Sequence, residues 1–189
     1  MKIGVLDIQG SVEEHLAVLQ KISKKKKIIP VLVKTPEDLV GLSGLILPGG
    51  ESTTIGKLLK LYKLDKEIIK KVKAGMAVWG TCAGAILLAS EVDDKNINNL
   101  NLINIGISRN AYGRQIDSFE TEIDFINKKI PAIFIRAPKI NRVGDDVQIL
   151  AKNNNEVVAV RQNNILITTF HPELTDDTSV HEYFVEMCG

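Results

Sequence analysis

Between Met76 and Ala89 an apolar, strand-like run (Met76-Ala77-Val78-Trp79) turns through Gly80-Thr81-Cys82-Ala83-Gly84 into an apolar, helix-like run from Ala85 to Ala89. A turn this sharp, with a reactive side chain at its apex, needs small residues two positions before and two after, or its own side chains collide. Gly80 and Gly84 meet that need. The spacing is that of a nucleophile elbow with cysteine in the place of serine, and it commits the chain to a strand feeding directly into a helix. Such a turn sets the sulfur against the first free backbone N–H groups of the helix, whose partial positive charge favours a negative sulfur. Cys82 is therefore a candidate nucleophile. On the pentapeptide alone, a small buried hydrophobe is the competing reading.

Strand, turn and helix recur before the elbow. Lys2 to Ile8 reads as a buried strand, Gln9-Gly10-Ser11 as a break, and Val12, Leu16, Leu19 and Ile22 as one face of a helix. Ile28 to Val33 is a second strand, and Thr35-Pro36-Glu37-Asp38 has the cap, proline and acids that open a short helix. A third strand, Leu45 to Leu47, runs into Pro48-Gly49-Gly50-Glu51-Ser52. Adjacent glycines at a strand's carboxyl end either bring backbone N–H groups close to a ligand or make an ordinary turn. Ile55, Leu58, Leu59 and Tyr62 then mark an amphipathic helix, with a further helical stretch from Asp65 to Lys73.

Beyond the elbow the periods shorten. Leu102 to Ile107, Phe119 to Phe125, Ala132 to Ile135, Val147 to Ala151, Val157 to Arg161 and Ile165 to Thr169 read as strands, with Asn163-Asn164 a hairpin signal. A helix closes the chain near Thr178 to Met187. The pattern predicts an α/β fold, a single domain over residues 1–189. It would be a three-layer sandwich with a central mixed, mostly parallel sheet, helices on both faces and an antiparallel extension from the later strands.

With 189 residues and 44% hydrophobic content the chain can bury one sizeable core. Lysine plus arginine total 24 against 23 for aspartate plus glutamate, so no bulk field draws it to nucleic acid or membrane. Cys82 and Cys188 are too few and too poorly placed for a disulfide framework, which suits a reducing compartment. No signal peptide or membrane span is visible, and a cytoplasmic location is expected. Three histidines are too sparse for a zinc site, and Pro48 to Ser52 lacks the lysine of a phosphate loop, so neither metal nor other cofactor is expected.

A cysteine nucleophile needs a base, and the base an orienting acid. His171-Pro172-Glu173 follows a strand end and supplies both, in the order Cys, His, Glu. His15, on the polar side of the first helix, and His181, in the last, are expected at the surface. Arg109 is either a fork for a carboxylate or a surface arginine.

Six stretches in this order carry a family resemblance: Gly4-Val5-Leu6 to Gln9-Gly10, Pro48-Gly49-Gly50-Glu51-Ser52-Thr53, Trp79-Gly80-Thr81-Cys82-Ala83-Gly84, Arg109-Asn110-Ala111-Tyr112-Gly113-Arg114-Gln115, Phe134-Ile135-Arg136-Ala137-Pro138 and Phe170-His171-Pro172-Glu173. The chain resembles the class I glutamine amidotransferases, with their flavodoxin-like fold, and within them the glutaminase subunits of two-component pyridoxal 5′-phosphate (vitamin B6) synthases. The resemblance implies Cys82 as nucleophile, His171 as general base and acid, and Glu173 as orienting carboxylate. It implies a glutamine site from Gly50, Glu51, Ser52, Arg109, Ile135 and Arg136, with oxyanion donors from the Gly49-Gly50 loop and Ala83. It further implies L-glutamine as substrate, ammonia delivered through an internal passage to a synthase subunit in a hetero-oligomer, and gating by that partner. Gln9 is the candidate link between docking face and site. A glutaminase for another synthase, a γ-glutamyl hydrolase or peptidase on the same fold, and a redox-sensing module with an oxidisable Cys82 are the alternatives.

Overall fold

A computed structural model describes residues 1–109 and 118–189. Twelve strands are present among the described residues: β1 (Lys2–Leu6), β2 (Ile29–Val33), β3 (Leu42–Leu47), β4 (Ala77–Thr81), β5 (Ala89–Val92), β6 (Ile103–Ser108), β7 (Ser118–Phe125), β8 (Lys128–Ile135), β9 (Lys139–Val143), β10 (Gln148–Asn153), β11 (Glu156–Gln162) and β12 (Ile165–Thr168). The helices are α1 (Val12–Ser23), α2 (Ser52–Leu61), α3 (Leu64–Lys73), α4 (Ala83–Leu88) and α5 (Ser179–Met187), with 3₁₀ turns at Pro36–Leu39 and Pro172–Leu174.

Nine strands form one sheet in the order β2-β1-β3-β4-β12-β11-β10-β7-β8. From β2 to β12 every neighbour is parallel, and from β12 to β8 every neighbour is antiparallel. The division expected from the shortening periods is thus present, and β12 is the strand where the two halves join. The Asn163-Asn164 hairpin turns β11 into β12, with Asn163 at φ 53°. Of a second sheet of three strands, β5-β6-β9, the sequence reading includes only β6, as the Leu102 to Ile107 strand, and neither β5 nor β9. The four residues of β5 directly continue the apolar run of α4, and β9 interleaves Lys139 and Arg142 with its apolar residues, so neither shows a strand period.

Two cores flank the large sheet. On one face α2, α3 and α4 bury Ile55, Leu59, Leu64, Ile68, Ile86 and Leu87 against Leu45, Leu47 and Val78. On the other, α1 and α5 bury Val12, Leu19, Ile22, Val180 and Phe184 against Ile3, Val5, Ile46 and Trp79. Helices therefore cover both sides of the sheet. Alternation along each strand directs neighbouring residues such as Leu45 and Ile46 to opposite cores.

The histidines of α1 and α5 correct the surface expectation: His15 and His181 are both fully buried. The buried stripe of α1 is Val12, His15, Val18, Leu19 and Ile22, a 3.6-residue period that includes the imidazole, while Leu16 is only half-buried. In α5 the stripe is Val180, His181, Phe184 and Val185. Among the described residues, no helix is long and apolar enough to cross a membrane.

Candidate active site

The elbow forms where β4 meets α4. Cys82 takes φ 47° and ψ −101°, a conformation that non-glycine residues rarely hold without surrounding support. The support is close packing. A Cβ on Gly80 would stand 2.5 Å from the Gly84 carbonyl, and one on Gly84 would stand 2.1 Å from the Leu47 carbonyl oxygen. Both glycines are thus required by approach, as their spacing around Cys82 predicts.

Sheet pairing brings the candidate base to the candidate nucleophile. β4 and β12 are parallel neighbours with Thr81 opposite Thr168, and the Cys82 N–H donates to the Thr168 carbonyl at 2.9 Å. The chain leaving β12 reaches His171 three residues later, and its N–H donates to the Ile133 carbonyl of β8 at 2.8 Å. Pro172 opens a 3₁₀ turn that returns Glu173 beneath the imidazole, with His171 Nδ1 and Glu173 Oε1 2.7 Å apart. Ser11 Oγ donates to the same carboxylate oxygen at 2.8 Å. His171 and Glu173 are both buried.

The charges reinforce one another. Burial pushes the His171 imidazole down, but hydrogen bonds with Cys82 and Glu173 and the charges of both outweigh it and hold the pKa at about 10. Burial pushes Glu173 up, while His15, His171 and the Ser11 hydroxyl bring it down to about 2. His171 is therefore an imidazolium between two acidic groups, with its Nδ1–H donating to Glu173.

The Pro48-Gly49-Gly50 loop lies over this pair. A Cβ on Gly49 would come within 2.5 Å of His171 Cε1 and 3.4 Å of Cys82 Cβ. Ser11 N–H donates to the Gly49 carbonyl at 3.0 Å, and Gln9 Oε1 accepts the Glu51 N–H at 2.7 Å. These two residues of the β1–α1 turn thereby fix the orientation of the glycine loop. Gly10, Ser11, Gly49, Gly50, Cys82, Ile135, Arg136, His171 and Leu174 line an open cavity of about 310 Å³, at the small end of the range for ligand clefts. Cys82 Sγ lies 3.9 Å from the Ile135 carbonyl, and Arg136 follows with φ 44°.

Glu51, Ser52 and Arg109 flank this cavity without lining it. Glu51 caps α2: hydrogen bonds from the Thr54 hydroxyl and from the Thr53 and Thr54 N–H groups bring its carboxyl down to about 2 despite partial desolvation. Arg109 forms a close ion pair with Glu51 and donates to Thr53 Oγ1 at 2.9 Å and Asp94 Oδ2 at 3.1 Å. Ser52 Oγ is buried with no partner among the described residues. Residues 110–115 of the Arg109-to-Gln115 motif lie outside the described residues. Among the described residues no cluster of histidine, cysteine, aspartate and glutamate could hold a metal ion.

The expected residues thus meet: Cys82, His171 and Glu173, and around them Gly49, Gly50, Ala83, Ile135 and Arg136. Ser11 was missed, because one hydroxyl in a turn leaves no pattern in a sequence.

A family model described as the SNO glutamine amidotransferase family matches residues 5–189. The chain belongs to this family. Among relatives of this glutamine amidotransferase, the pyridoxal 5′-phosphate synthase subunit PdxT of Clostridium botulinum is 47% identical over 189 residues, covering 98% of this chain and 96% of that protein. The subunit of the same name from Thermoplasma volcanium is 49% identical, covering 100% and 96%. A crystal structure of a glutamine amidotransferase superposes with a TM-score of 0.92 at 42% identity, covering 99% of this chain and 98% of that one.

Proposed function

We propose that this glutamine amidotransferase is the glutaminase subunit of a pyridoxal 5′-phosphate synthase, hydrolysing L-glutamine to glutamate and ammonia with Cys82, His171 and Glu173 as its catalytic residues. The observation that carries the chemistry is the strained Cys82 at the elbow beside an imidazole that Cys82 and Glu173 together hold protonated. The near full-length similarity to synthase subunits supports the synthase assignment.

The Cys82 thiolate attacks the side-chain amide carbon of glutamine. Backbone N–H groups of the Gly49-Gly50 loop and Ala83 receive the developing oxyanion. The His171 imidazolium gives its proton to the leaving nitrogen, releasing ammonia and leaving a γ-glutamyl thioester on Cys82. The neutral imidazole then takes a proton from water as that water attacks the thioester. Glutamate departs, and the thiolate and imidazolium are restored. Glu173 remains ionised throughout, holding the ring in the tautomer and orientation the proton transfers need.

Free glutamine is a zwitterion, and Glu51 and Arg109 offer it one charge of each sign. In this role Arg109 receives the α-carboxylate and Glu51 the α-ammonium, with Gly50, Ser52, Ile135 and Arg136 completing the site. A synthase subunit in a cytoplasmic hetero-oligomer accepts the ammonia, and its docking tunes the glycine loop through Gln9. The test is ammonia release from glutamine by the purified chain with and without the synthase subunit. Release that rises on adding the partner and vanishes in Cys82→Ala is expected. Release that persists in Cys82→Ala, or that is absent with the partner present, overturns the reading.

A further inference from the structure

Behind the triad lies a second, wholly buried polar chain. His15 Nδ1 is 3.0 Å from His181 Nε2, and His15 Nε2 is 3.2 Å from Thr81 Oγ1 and 3.5 Å from Glu173 Oε2. Both imidazoles pack edge-to-face with Trp79, with ring centroids 5.4 and 4.7 Å from the indole. Glu173 gives Oε1 to His171 and Ser11, while its buried Oε2 has no hydrogen-bond partner among the described residues, as does His181 Nδ1.

The protons of this chain are set by what each nitrogen faces. The groups acting on His15 are Glu173, His171, His181 and Glu14. Burial lowers His15 below its ordinary pKa, against the pull of Glu173, and lowers His181 much further. Each ring is therefore neutral, with a single N–H. Were that proton on His15 Nδ1, a lone pair on Nε2 would face the anionic Oε2. His181 would then have to accept at Nε2 and leave a buried N–H at Nδ1 with no acceptor. With the proton on Nε2 of both rings, His181 donates to His15, His15 donates to Thr81 with its N–H also facing Glu173, and only acceptors, His181 Nδ1 and Glu173 Oε2, are left without a hydrogen bond. Orphaned buried donors are rarer in folded proteins than orphaned acceptors, so the second arrangement wins.

We infer that His15, held in its Nε2–H tautomer by His181, is a positioning residue that ties the catalytic carboxylate of Glu173 to Thr81, the residue that precedes Cys82. The inference rests on the glutaminase reading above and adds to the triad a buried support spanning α1, β4 and α5. Its effect is to face Oε2 with the positive end of an N–H at 3.5 Å while Oε1 is held by His171, which favours the ionised carboxylate in the place the imidazole needs it.

The test uses the complex with the synthase subunit and reads kcat, KM for glutamine and the pH profile of kcat/KM. His15→Leu removes the N–H beside Oε2, so Glu173 takes up a proton at higher pH. A fall in kcat of about tenfold or more, with KM held within about twofold, is expected, together with an acid limb moved to higher pH. His15→Gln keeps an N–H at similar reach and restores both kcat and the acid limb, which a merely space-filling role would not require. His181→Leu frees the His15 proton to move to Nδ1 and shifts the acid limb in the same direction, and it decides the matter should His15→Leu not fold. Wild-type kcat and acid limb in His15→Leu, or in His181→Leu where that variant decides, or a His15→Gln no better than His15→Leu, overturns the inference. A wild-type complex without glutaminase activity overturns the glutaminase reading instead.

Discussion

Gly49 and His171 face each other with no room for a side chain between them: a Cβ on residue 49 would stand 2.5 Å from His171 Cε1. Gly49→Ala must therefore displace either the loop or the ring. Because misplacing one oxyanion donor commonly costs about a hundredfold or more in turnover, a kcat loss of that order is expected in the ammonia assay, with the fold intact by circular dichroism. Unchanged turnover would remove the loop from the oxyanion site.

The backbone of Cys82 separates chemistry from strain. Cys82→Ala and Cys82→Gly should both lose glutamine hydrolysis, since both lack the sulfur. Glycine alone tolerates φ 47° with ψ −101°. The glycine variant should unfold at a higher denaturant midpoint than the alanine variant, by about 1 kcal/mol in equilibrium melts. An alanine variant of equal or greater stability would show that the elbow is not strained.

Stability should respond to pH through the same pair. The imidazole of His171 rises from an ordinary 6.5 to about 10 on folding, so its contribution is complete below about pH 6.5 and fades as pH climbs through 10. The carboxyl of Glu173 falls from 4.5 to about 2, so its contribution is complete above about pH 4.5 and fades as pH drops through 2. The difference in unfolding free energy between the wild type and His171→Gln is therefore expected to be largest between these limits and to shrink toward pH 10. A difference independent of pH would refute the assigned protonation.

Arg109→Ala should raise KM for glutamine by about tenfold or more and change kcat less, because it removes a charge that binds reactant and transition state alike. The same substitution frees Glu51 and Asp94 from their shared cation. Steady-state kinetics at several glutamine concentrations check this, and an unaltered KM would leave Arg109 as a support for the α2 cap only.

Much of the fold and most of the site were legible because their signals are local. Gly80 and Gly84 announce the elbow by spacing, the strand periods shorten where the sheet changes from parallel to antiparallel, and Asn163-Asn164 marks its hairpin. The small sheet was legible only in β6, and β9 was missed for a physical reason. The β9 charges are spent on ion pairs, Arg142 with Glu91 across the small sheet and Lys139 with Glu156 of β11 in the large one, so the strand shows no hydrophobic alternation. His15 was misread because polar residues default to the solvent side of a helix in a sequence. Only the 12, 15, 19, 22 spacing, which admits His15 as readily as Leu16, hinted otherwise. Ser11 joins Gly49 to Glu173 across three elements, a relation that exists only once the chain has folded.

The pairing of β4 with β12 also sets a timetable for synthesis. A nascent chain emerging from the ribosome presents its sulfur long before the strand that delivers the imidazole. Until that late strand slots in beside its early neighbour, the thiol has no proton partner and no reason to cleave an amide. With Cys82 and His171 in the proposed roles, hydrolysis would be withheld from every unfinished copy and begin only when the sheet is whole.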